Sequence, residues 1–189
     1  MVAFVEITNV VGEIDIGQEL DLRAVEELLR ESDQVTETTY EPAENHWLQS
    51  RFTVPNKEKS WYVAFYRSGT CTIAGCDSIE TLENVASSVI QTLEPILGDR
   101  KPPVRTTNIV GVFNLDFSID LTQAAIGLGL ERVEYEPEQF PGLIYRSDSV
   151  PGVVLIFASG KSVITGLSNE TKLNQTAEMV RGELEDLIK

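Results

Sequence analysis

The chain alternates between helical and strand-like hydrophobic spacing, and it runs through the same series twice. Leu22, Val25, Leu28 and Leu29 recur at three- and four-residue steps, which predicts a short helix over 21–30. Leu121, Ala124, Ala125 and Leu128 repeat that spacing and predict a counterpart over 120–130. Longer helical patterns follow: Ile79, Leu82, Val85, Ala86, Val89, Ile90 and Leu93 in one stretch, then Leu173, Ala177, Val180, Leu184 and Leu187 in another. Ser78 and Ser168 stand ahead of these as candidate N-caps. Between the helical patterns lie runs rich in branched and aromatic residues, at 48–54, 61–67 and 71–74 and again at 143–146, 153–158 and 161–165. Pro151-Gly152 and Ser159-Gly160 read as turns between strands.

Short motifs confirm the duplication. Ile7-Thr8-Asn9-Val10-Val11-Gly12 returns as Thr106-Thr107-Asn108-Ile109-Val110-Gly111, Tyr40-Glu41-Pro42 as Tyr135-Glu136-Pro137, and Ser68-Gly69 as Ser159-Gly160. The offsets (9 to 108, 40 to 135, 68 to 159) are 99, 95 and 91, so order is kept and the first copy carries about eight extra residues. A unit of roughly ninety residues present twice is a duplicated half-domain, not a solenoid repeat. The expected organisation is a first repeat over 1–98, a linker over 99–103 and a second repeat over 104–189. Each copy reads strand, helix, several antiparallel strands, long helix. The expected class is therefore α+β, with both copies contributing to one antiparallel sheet that has helices on one face. The other face stays open, and an open sheet face marks a binding surface.

Composition narrows the function. A hydrophobic content of 42% supports a real core, and no run approaches the length of a membrane helix or a signal sequence. The expected location is cytoplasmic. Two cysteines and one histidine offer no zinc set, and no catalytic constellation or phosphate-cradling glycine loop is present; the expectation is no enzyme, no cofactor and no metal. The net charge of −15 counts against nucleic acid at first sight. Its distribution is uneven: residues 1–99 hold 18 acids and 6 bases (−12), residues 100–189 hold 12 and 9 (−3). Many acids fall on the predicted helices, and a helix covering one side of a sheet can be acidic while the other side stays neutral or basic. An acidic exterior also suits a salt-rich cytoplasm, where screening is strong.

The stretches Tyr135-Glu136-Pro137-Glu138-Gln139-Phe140-Pro141-Gly142-Leu143-Ile144-Tyr145-Arg146, Val154-Leu155-Ile156-Phe157-Ala158-Ser159-Gly160-Lys161 and Ile164-Thr165-Gly166 resemble the second repeat of the TATA-binding protein family, in its archaeal form. Gly17-Gln18-Glu19-Leu20-Asp21-Leu22 and the two Asn-containing first strands are similar to the same family, so the resemblance spans nearly the whole chain. It implies a curved saddle whose concave face lies in the DNA minor groove. That family is itself a standard example of kinking by roughly 80° with apolar wedges between base steps.

The resemblance assigns roles. Asn9 and Asn108 would donate to base acceptors at the centre, with Val11 and Val110 beside them on the same face. Phe140 and Phe157 match the wedges of the second repeat, Leu155, Val163 and Thr165 share their face, and Arg146 and Lys161 match phosphate ligands. In the first repeat Arg51, Tyr66 and Thr72 take the corresponding DNA-binding positions, but Asn45 stands where the first wedge belongs and Thr70 and Ala74 replace Lys161 and Thr165. Trp47 or Phe52 would substitute for that wedge if the strand slipped in register. Glu136, Glu138 and Gln139 match the loop through which the family contacts transcription factor B.

The implied function is a general initiation factor that binds an A/T-rich box in double-stranded DNA, bends it, and recruits transcription factor B and, indirectly, RNA polymerase. A divergent paralogue, acting as a regulator with weakened bending through its first repeat, is the alternative. Neither requires a membrane, and both leave room for a homodimer of the free protein.

Overall fold

Among the residues described by the computed structural model, 4–55 and 57–187, there are ten strands and five helices, most of them close to where the hydrophobic spacing puts them. The elements of the first half are β1 (Glu6–Asp15), α1 (Leu22–Glu31), β2 (Val35–Thr39), β3 (Trp47–Thr53), β4 (Ser60–Tyr66), β5 (Thr70–Cys76), α2 (Ile79–Thr92) and the short α3 (Glu94–Leu97). Its strands lie in the order β2-β3-β4-β5-β1, each pair antiparallel. The second half repeats the plan with β6 (Val104–Asn114), α4 (Leu121–Leu128), β7 (Val133–Glu134), β8 (Gly142–Ser147), β9 (Val150–Phe157), β10 (Lys161–Leu167) and α5 (Glu170–Leu187). Here the order is β6-β10-β9-β8-β7, again antiparallel throughout.

In each half the helices cover one side of the strands. Helix α2 packs on β3 and β5 and α1 on β2 and β3; α5 packs on β9 and β10 with α4 against it. Alternation then sends every second strand residue into the core. Leu48, Phe52, Val63, Phe65 and Ile73 are fully buried with Leu82, Val85 and Val89 of α2, as are Val154, Ile156 and Ile164 with Ala177 and Val180 of α5.

The duplication extends to the caps and turns. Asp21 accepts from the Arg23 amide and starts α1; Asp120 accepts from Thr122 and Gln123 and starts α4. The Ile16 and Leu20 amides bond the carbonyls of Gly69 and Arg67, as Leu115 and Ile119 bond those of Gly160 and Ala158. Gly69 and Gly160 sit at φ +88° and +87°, and a Cβ on either would strike the carbonyl of Gln18 or Phe117.

Several expectations shift. Ser78 does cap α2, accepting from the Thr81 amide at 3.0 Å, but the cap of α5 is Asn169, which accepts from Lys172, and not Ser168. Pro151-Gly152 is no turn. It lies inside β9 beside a register shift, where Thr176 bonds the Pro151 carbonyl and a missing amide is tolerated; the turn is Asp148-Ser149. Strands β2 and β7 were not legible because they are outermost in their halves and carry polar sequences, VTETT and VE.

Candidate nucleic-acid interface

The side of the strands away from the helices carries every residue assigned above to DNA. In the second half, Leu155 and Phe157 alternate with buried Val154 and Ile156, and Lys161, Val163 and Thr165 alternate with buried Ser162 and Ile164. Asn108 and Val110 alternate with Ile109 and Gly111, and Arg146 follows buried Tyr145. These residues are half-buried or exposed, so the face is accessible in the protein alone. Phe140, on the loop before β8, lays its ring 5.7 Å from that of Phe157 at 65°, edge to face. Gly142 makes this arrangement possible: it stands opposite Phe157, and a Cβ there would come within 2.8 Å of one ring and 3.0 Å of the other.

The polar groups of this face are oriented by neighbours. The Asn108 carbonyl accepts from the Gly166 amide at 2.8 Å and lies 3.3 Å from the Thr165 hydroxyl. The Asn108 NH2 group also lies 3.3 Å from the Thr165 hydroxyl, which can accept one of its hydrogens, so the second N–H is left to offer outward, the polarity that minor-groove acceptors require. Arg146 pairs with Glu134 at 2.9 Å, but both are largely exposed, and such a pair holds the guanidinium by little. Lys161 is exposed at the strand start, with no side-chain partner among the described residues.

The first half presents Asn9 and Val11 on β1, Trp47, Gln49 and Arg51 on β3, Tyr62, Ala64 and Tyr66 on β4, and Thr70, Thr72 and Ala74 on β5. Its loop before β3 has the same turn as its counterpart. The Glu44 and Asn45 amides bond the Glu41 carbonyl, as the Gln139 and Phe140 amides bond that of Glu136. Asn45 therefore occupies the Phe140 position in space as well as in sequence, and the strand does not slip: Trp47 pairs with Tyr66 as Gly142 pairs with Phe157. Trp47 nonetheless reaches the open face, because it replaces a glycine already directed there. Its ring lies 6.3 Å from that of Tyr66. Phe52, the other candidate substitute, is fully buried beneath the helices together with Phe65, which removes it. Motif alignment brings Trp47 here only through a slip of the strand; it reaches the face without one, by alternation with buried Leu48.

Other differences are electrostatic. Arg51 stacks on Tyr62 at 5.7 Å instead of pairing with an acid. The Asn9 side chain has no hydrogen-bond partner among the described residues, and the position matching Thr165 is Ala74, which has no hydroxyl to offer. Glu136, Glu138 and Gln139 are exposed on the loop before Phe140, with Gln139 donating to the Glu136 carboxylate; Glu41, Ala43 and Glu44 are exposed on the matching loop. No group of side chains among the described residues could hold a metal ion, and no described helix is long and apolar enough to cross a membrane.

Each half thus has antiparallel strands, helices on one side, and a half-buried aromatic pair on the other, with Arg51 on that face in the first half and Arg146 and Lys161 in the second. That defines a duplicated α+β protein built to lay sheet against a ligand surface. The family model for transcription factor TFIID, or TATA-binding protein, matches the chain twice, at residues 4–96 and 103–187, and the chain belongs to that family. It is 37% identical over 188 residues to TATA-box-binding protein C of Halobacterium salinarum, covering 97% of this chain and 99% of that one. The TATA-box-binding protein of Archaeoglobus fulgidus is 36% identical over 97% of this chain and 96% of its own. Among solved structures, Methanococcus jannaschii TBP superposes with a TM-score of 0.79 at 33% identity, covering 96% of this chain and 98% of that chain, so the α+β fold is the family's.

Proposed function

We propose that this chain is an initiation factor that lays its two open sheet faces into the minor groove of an A/T-rich promoter box and bends it. The observation that carries this reading is the Phe140–Phe157 pair, two large rings held edge to face on an accessible strand face with a glycine keeping room for them. Burying such a pair inside the protein would be ordinary. Leaving it accessible is useful only where it meets another stacked or apolar surface, and separated base pairs offer one. In this mechanism the rings enter base steps, the valines and leucines cover the sugar edges and groove floor, and Asn9 and Asn108 donate to base acceptors. Unstacking costs a few kcal/mol per step, and burial of the apolar face at about 25 cal/mol per Å² offsets it.

We read Arg51, Arg146 and Lys161 as phosphate ligands, and Glu136, Glu138 and Gln139 as the surface that takes transcription factor B, through which RNA polymerase follows. We keep residues 1–98 and 104–189 as the two functional repeats. The alternative, a regulator whose first repeat no longer bends DNA, rested on Asn45. Trp47 weakens that case, since an aromatic pair is present in both halves.

The test is energy transfer between dyes at the two ends of a short duplex bearing an A·T box, titrated with protein from low to molar salt. A shortened end-to-end distance that saturates with protein is expected. Binding without shortening at every salt would leave the regulator as the better reading.

A further inference from the structure

The two open faces differ along one particular row. In the second half, Ile144, Leu155, Val163 and Val112 stand opposite one another across β8, β9, β10 and β6, an unbroken apolar line. The matching row of the first half is Gln49, Ala64, Thr72 and Glu13 across β3, β4, β5 and β1. Every member has lost apolar bulk, and three of the four are hydrogen-bonding residues. Ala64 is almost completely covered by its neighbours, and neither the Gln49 nor the Thr72 side chain has a hydrogen-bond partner among the described residues. Glu13 is held by Arg105 at 2.8 Å.

We propose that this row makes the first repeat tolerant of G·C pairs, so that the chain recognises a box with one strict A·T half and one permissive half. This rests on the minor-groove reading above. In the minor groove a G·C pair differs from A·T by the guanine N2 amino group, a donor at the centre of the floor. Against Ile144, Leu155 and Val163 that amino group would be buried without an acceptor, which costs about tenfold or more in affinity. The half-buried Gln49 amide oxygen and Thr72 hydroxyl oxygen can accept from it. Because the two repeats are alike in outline, the protein orients so that Gln49 and Thr72 cover the G·C-bearing half.

Fluorescence-anisotropy titrations would compare three duplexes at fixed salt: an all-A·T box, a box with one G·C pair in one half, and a box with a G·C pair in each half. The single G·C box should bind within about threefold of the A·T box, whichever half carries it, and the double one about tenfold or more weaker. Orientation is read by a radical-generating chelate on Glu44→Cys, in the exposed loop before Trp47. The native thiols stay unlabelled, because burial pushes Cys71 up to about 12 and Cys76 up to about 11. Strand cutting should move to the end of the box that carries the G·C pair. In Gln49→Leu/Thr72→Val the affinity ratio between the A·T and single G·C boxes should rise to about tenfold. Thermal melting of this variant without DNA separates misfolding from lost tolerance. Failure to bind even the all-A·T box would sink the minor-groove reading itself. Good binding to that box with an equally large penalty from the single G·C pair, in wild type and variant alike, would sink this inference alone.

Discussion

The second half displays a face crossed by one unbroken apolar row, with Phe140 folded over Gly142 beside Phe157; the first half displays a mixed row, with Trp47 standing on the strand itself beside Tyr66. Both solve one geometric problem, placing two rings side by side at the end of a strand pair, by exchanging which of two positions carries the ring. Phe-x-Gly in one half becomes Asn-x-Trp in the other, and the turn and strand register stay the same. Side chains two apart on a strand share a face, so an aromatic can move by two without leaving the surface. A motif comparison that asks only for the same residue at the same place reports a loss where the face records a relocation.

The largest effect expected is at the second-half pair. Phe157→Ala should cost about 3 kcal/mol of DNA binding, roughly two orders of magnitude in Kd, if its ring enters a base step. Its half-exposed position predicts a smaller loss of folding stability than the ~3–5 kcal/mol of a buried phenylalanine. Titration and thermal melting of one preparation measure both. A variant that melts far lower yet still bends DNA would mark Phe157 as core.

The relocation itself can be broken and rebuilt. Trp47→Gly should remove most bending by the first half, at a cost of about 2 kcal/mol in binding. Asn45→Phe alone should recover nothing, because Trp47 already fills the space that Gly142 leaves open for Phe140. The double variant Asn45→Phe/Trp47→Gly recreates the second-half arrangement and should restore bending. A double-mutant cycle read by end-to-end distance checks this, and additive single effects would dismiss the exchange.

Much of this fold was legible because amphipathic spacing and strand alternation are local consequences of burial. The helix over 21–30 and the strands around Val154 and Phe157 appear within two or three residues of their expected ends. What stayed hidden depends on position in the sheet or on a single turn: the polar strand at Val35–Thr39, outermost in its half, the Asn169 cap one residue past Ser168, and Pro151 inside a strand. The open-face residues were legible in the second half because the motif there is long. In the first half Trp47 and Gln49 could be assigned to the face only once Asn45 was fixed on its turn and slippage was excluded.

Salt should distinguish the faces less sharply. With Arg51, Arg146 and Lys161 as the candidate phosphate ligands, log K against log salt should have a slope no steeper than about −3. Cations drawn in between protein carboxylates and phosphates would flatten it further. Charge reversal of Lys161 to Glu should shift the slope by about one unit, whereas Thr70, its counterpart in the first half, should tolerate alanine with no change in slope.

The smallest effect concerns the helix caps behind the two faces. Ser78 caps α2, and beside it the Asp77 carboxylate accepts from the Thr81 hydroxyl at 2.6 Å, while Lys57 donates to the same hydroxyl. The second half has Ser168 and Asn169 in these places, and neither titrates. The Thr81 hydrogen bond, aided by Lys57 and Lys59 against a burial effect of opposite sign, holds Asp77 below the usual carboxylate range. A depressed folded value means that the unfolded chain binds the proton more readily. The stabilisation is therefore present at neutral pH and is lost as pH falls from about 4 through the folded value. Wild type should protect the Thr81 amide from hydrogen exchange better than Asp77→Asn does at pH 7. That difference should shrink toward zero below pH 4, with the Lys172 amide of α5 following the same course in both proteins. An undiminished difference at low pH would mean that Asp77 acts through shape and not through its charge.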